Sequence, residues 1–325
     1  MKLYILLASY NGETYIGEQI DSICNQTFSD WRLLIRDDAS TDNTVNIIQK
    51  KILQDNRIEL ISDDLGNQGV IGNFNSLVNI ALARNAEYVM FSDQDDIWKV
   101  DKIELSITKI SEVENKYGKD TPILVHTDLA VINESKELIN ISFLRFQHLH
   151  HEYSRQTEVL LTQNFVTGCT VILNSALLKV STPIPNTAIM HDWWFALSSS
   201  VFGRLAFLPA QTVLYRQHSE NLEGSSGFFS KFNFMNGTLQ KVLRLNQEKL
   251  ERSINQACSI YSIAAHASQE NNVKQKLHSY CTLKESRLSY FEKLKALLRS
   301  GAHKQGLFRN IVFYYHAFKF ILLKQ

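Results

Sequence analysis

Short apolar segments alternate with amphipathic segments through the first hundred residues, and this alternation constrains the fold more than any other feature of the chain. The predicted strands cover residues 3–8, 31–35, 58–61 and 88–91. They are short and rich in β-branched or aromatic residues, as expected of buried strands. The predicted helices cover residues 13–25, 41–53 and 73–84. The order βαβα predicts an α/β fold with a mainly parallel sheet flanked by helices.

Three of these strands end in polar clusters, at residues 9–11, 37–38 and 93–96. Ligands of α/β sheets bind outside the carboxyl ends of the strands, so the clusters are expected to converge on one site. In the third cluster, Asp93, Asp95 and Asp96 repel one another. A divalent cation bound together with a nucleotide would offset that repulsion. The alternative is an acidic cap on a helix that begins at residue 97.

The second half of the chain changes character along its length. Further strands are predicted at residues 123–126, 130–132, 168–173 and 205–214, with a helix at 192–202. From about residue 228 the pattern is helical, and the small residues 224–227 read as a linker. We therefore expect a catalytic domain over residues 1–224 and a helical region over residues 225–325.

Composition excludes several classes of protein. A net charge of +1 argues against a general nucleic-acid binder. The four cysteines form no C-x-x-C pair, so neither a zinc site nor a disulfide framework is expected. The sequence shows no signal peptide and no apolar run long enough to span a membrane, which predicts a cytoplasmic location.

Several ordered motifs resemble those of family 2 glycosyltransferases, which are inverting enzymes of the GT-A fold. These motifs are ASYNG at residues 8–12, DDASTD at 37–42, the Asn and Gly residues of 67–73, and DQDDIW at 93–98. Residues 167–170, 191–194 and 215–218 look most like segments of bacterial rhamnosyltransferases that build cell-surface polysaccharides from dTDP-L-rhamnose. The resemblance covers residues 1–220. The Q-x-x-R-W motif of processive synthases is absent, which favours transfer of single sugars.

This resemblance implies a role for each residue of the site. Asp192 is the implied catalytic base, which takes the proton from the attacking acceptor hydroxyl. Asp95 and His218 are the implied ligands of Mn²⁺ or Mg²⁺. The residues implied to bind the nucleotide-diphospho-sugar donor are Ser9, Tyr10, Asn11, Glu13, Asp38, Asn73, Asp93 and Arg216. Those implied to bind the saccharide acceptor are His191, Trp193 and Trp194.

The residues leave alternatives open. Asp192 lies at a predicted helix start and could cap that helix, and each tryptophan could be a core residue. Asp96 is expected to cap a helix from residue 97. Residues 306–323 mix basic and aromatic side chains, which suits the interface of an anionic membrane that carries a polyprenyl-diphosphate-linked acceptor. Equally, this helix could pack on the catalytic domain or on a second subunit.

The same residues disfavour two rival functions. A nucleotidyltransferase would need a Gly-rich phosphate loop with basic residues in the first turn, where this chain has Ser-Tyr-Asn-Gly. A dinucleotide-dependent oxidoreductase is disfavoured because G-x-G-x-x-G is missing. A UDP-hexose-dependent transferase of the same fold and an inactive sugar-nucleotide-binding scaffold remain as alternatives.

Overall fold

The computed structural model describes residues 1–218, 239–265 and 271–323. These residues form nine strands: β1 (Leu3–Ser9), β2 (Trp31–Asp37), β3 (Ile58–Ile61), β4 (Tyr88–Ser92), β5 (Ile97–Trp98), β6 (Ile123–Asn133), β7 (Leu138–Asn140), β8 (Val171–Asn174) and β9 (Arg204–Gln217). They also form twelve α-helices: α1 (Ile16–Cys24), α2 (Thr44–Gln54), α3 (Gly69–Ala83), α4 (Lys102–Tyr117), α5 (Phe143–Phe146), α6 (Gln156–Leu160), α7 (Ser175–Ser181), α8 (His191–Phe202), α9 (Leu239–Ala265), α10 (Asn271–Cys281), α11 (Tyr290–Ser300) and α12 (Leu307–Leu323).

One mixed sheet forms the centre of the molecule. Its strand order is β3-β2-β1-β4-β8-β6-β9-β5, with β7 paired to β6. The first four strands run parallel, as the βαβα pattern predicts. Beyond β4 the strand directions are mixed: β8 is antiparallel to both β4 and β6, while β9 is parallel to β6. The expected α/β fold is confirmed, with a parallel half that carries the polar strand ends.

The predicted elements of the first hundred residues are present, with ends shifted by a few residues. Two details differ. Residues 123–133 form the single strand β6 rather than two strands. The helix expected from residue 97 begins instead at Lys102, because Ile97 and Trp98 pair with β9 as the short strand β5.

Helices cover both faces of the sheet. α1 buries Ile16, Ile20 and Ile23 on one face, in a cluster with the side chains of β1 and β2. α3, α7 and α8 supply the other face with Phe74, Leu77 and Phe195, among others. Because both faces of the parallel half are covered, its polar groups are accessible at the strand ends.

The C-terminal helices pack against this second face. Ile254 of α9, Leu277 of α10, Leu297 of α11 and Phe320 of α12 belong to the same apolar cluster as Phe195. The proposed linker at residues 224–227 lies outside the described residues, so the domain boundary stays a prediction. Across the described part of the chain, the helices are all too short or too polar to cross a membrane.

Candidate active site

The polar strand ends open into a cavity of about 1100 Å³. The strand register aligns Ser9 with Asp37 and Leu7 with Ser92, which brings the three polar clusters to one edge of the sheet. The cavity is lined by residues 8–11, 38 and 93–95 from that edge, and by residues 189–193, 215 and 218 from elsewhere. The convergence expected from the sequence is therefore observed.

The turn after β1 forms part of the cavity wall. The Tyr10 N–H donates to Oε1 of Gln94 at 2.8 Å, and Nε2 of Gln94 donates to the Tyr10 carbonyl at 3.0 Å. Asn11 closes the turn at a φ of 47°, and its N–H donates to Oγ of Ser40 at 2.8 Å. These bonds fix Ser9, Tyr10 and Asn11, and they leave the exposed Tyr10 ring available to pack on a planar ligand.

Asp38, just after β2, is buried and fully engaged. Its Oδ1 accepts from the Arg36 guanidinium and from the Gln68 N–H, each at 2.7 Å. Its Oδ2 accepts from the N–H of Gly69 at 2.8 Å, where the backbone turns at a φ of 67° that favours glycine. Asp38 thus holds the loop that leads into α3 while it lines the cavity.

Asn73 lies on α3 and lines the same cavity. Its Nδ2 donates to the Arg36 carbonyl at 3.1 Å, which links α3 to β2. Its Oδ1 is buried without a hydrogen-bond partner. Since buried polar atoms are nearly always bonded, this oxygen is suited to accept from a ligand in the cavity.

The side chains of Asp95 and His218 are in contact beside the acidic loop, residues 93–96. Nε2 of His218 lies 2.9 Å from Oδ2 of Asp95. The His218 ring packs against the Tyr15 ring at 5.0 Å between centroids. The Arg216 guanidinium carbon lies 4.7 Å from the centroid of the same Tyr15 ring, and the Arg216 Nε donates to the Asp95 carbonyl at 3.0 Å. Contacts with Tyr15 and Arg216 therefore hold His218 and Asp95 in place.

Asp93 lies beside two other carboxylates. Burial, and then the negative charges of Asp95 and Asp192, raise the pKa of Asp93 to about 7. The acidic loop and the start of α8 line the same cavity. Three carboxylates around one cavity form an environment that favours a cation.

A second group of potential metal ligands lies deeper. Ligand atoms of Asp93, Asp96 and Cys169 are within 4.8 Å of one another. Asp96 and Cys169 are fully buried and do not line the cavity, and burial raises the pKa of the Cys169 thiol. A protonated thiol is a poor ligand for Mg²⁺ or Mn²⁺, so Asp95 and His218 fit those ions better.

Asp96 does not cap a helix, contrary to the expectation. Its Oδ1 accepts the Arg216 N–H at 3.3 Å, across the junction between the acidic loop and β9. Burial raises the pKa of Asp96 well above its usual value. Asp96 therefore ties β9 to the loop that carries Asp95.

Asp192 lies in the first turn of α8 and lines the cavity. Its Oδ2 accepts the N–H of Gly168 at 3.1 Å, and its Oδ1 accepts the N–H of Trp193 at 2.5 Å. A Cβ at position 168 would come within 2.8 Å of Nε2 of His191, so glycine permits this close approach. The carboxylate is held in one orientation by backbone groups, and its place in the cavity distinguishes it from a simple cap.

The three residues expected to bind the acceptor differ from one another. Trp193 lines the cavity, and its indole N–H donates to the Leu160 carbonyl at 2.6 Å. His191 is buried and stacked on Phe74 at 3.8 Å between centroids, and burial lowers its pKa to about 3. It reaches the cavity wall as a neutral ring.

For Trp194 the expectation is wrong. The side chain is fully buried in the apolar cluster, and its indole N–H donates to the Ser181 carbonyl at 2.7 Å. Adjacent helical residues point about 100° apart, and the rotation of α8 about its axis directs Trp194 into the core. Trp194 is a core residue.

Two residues expected to bind the donor lie outside the cavity lining. Arg216 is 1% exposed, and its guanidinium pairs with Glu18 at 2.7 Å and donates to the Glu134 carbonyl at 3.2 Å. Glu13 accepts the N–H of Asn43 at 2.9 Å and braces the neighbouring loop. Burial makes direct donor contact wrong for Arg216, which supports the acidic loop instead. Glu13 is exposed beside the cavity, and its contact with the donor stays a prediction.

Sequence reasoning missed the residues that hold the cavity-lining side chains in place. Gln94 belongs to the motif at residues 93–98, but no sequence signal predicts its pairing with the Tyr10 backbone. Tyr15 and Glu18 belong to a predicted helix, and no sequence signal shows that they support His218 and Arg216. Their spacing from residue 218 gives no signal along the chain.

Comparisons with known proteins give the family and the fold. The family model for Glycosyl transferase family 2 matches residues 4–177. The dTDP-rhamnosyl transferase RfbG of Shigella flexneri is 30% identical over 265 residues, which are 76% of this chain and 84% of that protein. The Escherichia coli enzyme WfgD, a UDP-Glc:alpha-D-GlcNAc-diphosphoundecaprenol beta-1,3-glucosyltransferase, is 37% identical over 118 residues, 35% of this chain and 44% of its own.

A solved structure supports the fold. The mannosyltransferase PcManGT of Pyrobaculum calidifontis, in complex with GDP-Man and Mn²⁺, aligns with a TM-score of 0.51 at 13% identity. The alignment covers 99% of this chain and 85% of that protein. At this identity the likeness shows the shared architecture alone.

Proposed function

Because the chain belongs to glycosyl transferase family 2, we propose that it is an inverting, metal-dependent enzyme that transfers one sugar from a nucleotide-diphospho-sugar to a saccharide acceptor. The reaction would serve the assembly of a bacterial cell-surface polysaccharide. One observation carries the proposal: a single cavity is lined by the strand-end residues 8–11, by the pair Asp95 and His218, and by Asp192. Candidate residues for binding the donor, for binding the metal and for acting as the base therefore line the same cavity.

The residues present fit a divalent cation. Asp95 and His218 offer an oxygen and a nitrogen ligand 2.9 Å apart, and the pKa of Asp93 is raised to about 7 by burial and by two neighbouring carboxylates. Mn²⁺ or Mg²⁺ bound here would neutralise negative charge on the nucleoside diphosphate leaving group. Arg216, Glu18 and Tyr15 would hold these ligands in place from outside the cavity lining.

Asp192 is the proposed general base. In a single inverting displacement, the acceptor hydroxyl attacks the anomeric carbon and its proton passes to a carboxylate. The N–H groups of Gly168 and Trp193 fix the Asp192 carboxylate while it lines the cavity. Trp193, beside it, offers an apolar face against which an acceptor sugar can pack.

The proposed donor is dTDP-L-rhamnose. The support is the 30% identity to the dTDP-rhamnosyl transferase RfbG over most of both chains. A UDP-hexose is the second candidate, because the chain is 37% identical to the UDP-Glc-dependent WfgD over a shorter segment. The name of WfgD also supports a polyprenyl-diphosphate-linked acceptor, and hence a place at the cytoplasmic face of the membrane.

The outer face of α12 supports contact with that membrane. Exposed apolar side chains occur along it at Leu307, Phe308, Ile311, Tyr315, Phe318 and Leu322. The region from residue 293 to the end carries seven Lys and Arg residues and no Asp or Glu. An apolar surface in a basic region suits an anionic lipid interface.

A donor screen tests the proposed function. Binding of dTDP-L-rhamnose, UDP-glucose and GDP-mannose to the full chain is measured by calorimetry with and without Mn²⁺. We expect dTDP-L-rhamnose to bind most tightly and its affinity to fall about tenfold or more without Mn²⁺. Asp95→Ala should abolish the Mn²⁺ dependence, whereas Asp101→Ala, an exposed carboxylate outside the cavity, should retain it. Binding of none of the three donors would contradict the proposal.

A further inference from the structure

The C-terminal helices supply a second wall of the active-site cavity, and that wall is basic. Lys249 and Arg252 of α9, Lys304 of the α11–α12 connection and His316 of α12 all line the cavity. The other wall is acidic, with Asp93, Asp95 and Asp192. The cavity therefore has two regions of opposite charge.

Like charges are gathered on this basic wall. Burial, and then the charges of Lys249 and Arg309, lower the pKa of Lys304 to about 8. Burial, and then the charges of Lys304 and Lys319, lower the pKa of His316. Within the described part of the chain, every charge that shifts these two pKa values is positive. Folding alone gains nothing from such a cluster, whereas an anion bound there would offset the repulsion.

Two buried donors among the residues that line the cavity lack acceptors. His316 is 7% exposed, and its Nε2 lies 3.1 Å from the amide nitrogen of Asn246. Because an amide nitrogen donates, Nε2 accepts, and the proton of the neutral ring lies on Nδ1. That Nδ1 has no partner, and neither has Nε2 of Gln147, a buried cavity residue whose carbonyl accepts from Arg309.

The basic wall adjoins the acceptor side of the cavity. The Arg252 guanidinium donates to the Ile189 carbonyl at 3.4 Å, in the segment that leads directly to Asp192. Apolar side chains of Leu250, Val312 and Phe313 line the cavity beside the cations. A ligand here would combine an anionic group with a hydrocarbon portion.

We propose that Lys249, Lys304 and His316 form a subsite for the phosphate or diphosphate group of a lipid-linked acceptor, with Leu250, Val312 and Phe313 against the first part of its lipid. This inference rests on the proposed function, since it names the acceptor class of the same cavity. Lysines bind phosphate oxygens through charge-assisted hydrogen bonds, and the Nδ1–H of His316 adds a directed donor.

The test measures binding of farnesyl diphosphate, pyrophosphate and farnesol to the full chain by calorimetry in EDTA, which keeps metal away from the donor side. The double variant K249Q/K304Q is compared with K295Q/R299Q, which removes two exposed cations of α11 outside the cavity. The single variant Lys249→Gln, at an exposed position, guards against misfolding of the double variant. Binding of dTDP with Mn²⁺ is measured on every protein to report separately on the donor side.

We expect farnesyl diphosphate to bind more tightly than pyrophosphate, and farnesol to bind weakly. K249Q/K304Q should weaken farnesyl diphosphate binding about tenfold or more, with Lys249→Gln intermediate and K295Q/R299Q like wild type. Equal loss in the two double variants, or equal binding of farnesol, would overturn the subsite. Pyrophosphate binding as tight as that of farnesyl diphosphate would overturn its assignment to a lipid-linked acceptor. If the wild type bound no dTDP in the presence of Mn²⁺, that result would instead contradict the dTDP-sugar donor of the proposed function.

Discussion

At the residue scale, the start of α8 shows how neighbouring side chains acquire different tasks. Trp193 and Trp194 are both indoles whose N–H groups donate to backbone carbonyls, at 2.6 and 2.7 Å. Only Trp193 lines the cavity, while Trp194 is fully buried. Substitution of the first should therefore affect acceptor binding, and substitution of the second should affect stability.

A matched pair of substitutions tests this division. Trp194→Phe should lower the free energy of unfolding by about 2 kcal/mol or more, because it leaves a void and an unpaired Ser181 carbonyl. Trp193→Phe should raise the acceptor KM with a smaller loss of stability. Denaturant unfolding and steady-state kinetics measure the two effects. A stable Trp194→Phe variant with a raised acceptor KM would contradict the assignment.

Residue types and motifs predicted which carboxylates approach the cavity, but not which side chains support them. Asp93, Asp95 and Asp192 follow strands or begin a helix, and chain order alone places them near the sheet edge. The burial of Arg216 against Glu18 depends on contacts between residues 198 positions apart, which spacing does not reveal. The direction of Trp194 depends on the rotation of α8 about its axis.

At the element scale, α12 has two apolar faces with different surroundings. Phe313, Ala317, Phe320 and Ile321 are buried in the cluster that includes α8 and α9. The exposed face carries Phe308, Ile311 and Tyr315, among others. The helix therefore packs on the catalytic domain, which was one of the alternatives from the sequence, and still exposes an apolar surface. The sequence shows the apolar residues but cannot assign them to two faces without the packing partner.

Point substitutions test membrane contact better than truncation, because deletion of α12 would expose core residues. The double variant F308S/I311S should reduce flotation with anionic vesicles, since it removes apolar area that would enter the interface. The control F291S/L298S changes two exposed apolar residues of α11 and should float like wild type. Equal flotation of the two variants would refute the role of α12.

At the scale of the whole molecule, buried histidines link stability to pH. His126 and His151 are buried, with Nε2 and Nδ1 2.8 Å apart. Burial lowers the pKa of His151 to about 4, and burial together with the charge of His151 lowers that of His126 well below its usual value. Below pH ~6.5 the unfolded chain binds protons that the folded chain does not, so acid favours unfolding.

The contribution of these two histidines to the free energy of unfolding should therefore fall as the pH decreases from about 6.5 toward about 4, by up to about 1.4 kcal/mol per pH unit for each. The raised pKa values of Asp93 and Asp96 act in the opposite direction, so the histidine contribution is the difference between wild type and a histidine variant. Urea denaturation at a series of pH values measures this slope. His151→Gln should make the slope shallower, whereas His150→Gln, at an exposed side chain, should leave it unchanged. An identical slope in wild type and His151→Gln would contradict the link.

The most direct test of sugar transfer in this cavity compares Asp192→Asn with wild type, using dTDP-L-rhamnose, Mn²⁺ and a lipid-linked saccharide acceptor. Asparagine keeps the shape of the side chain but cannot take the acceptor proton. We predict that kcat falls about a thousandfold while the Kd for the donor stays close to that of wild type. Near-normal turnover by Asp192→Asn would contradict the assignment of Asp192 as the base.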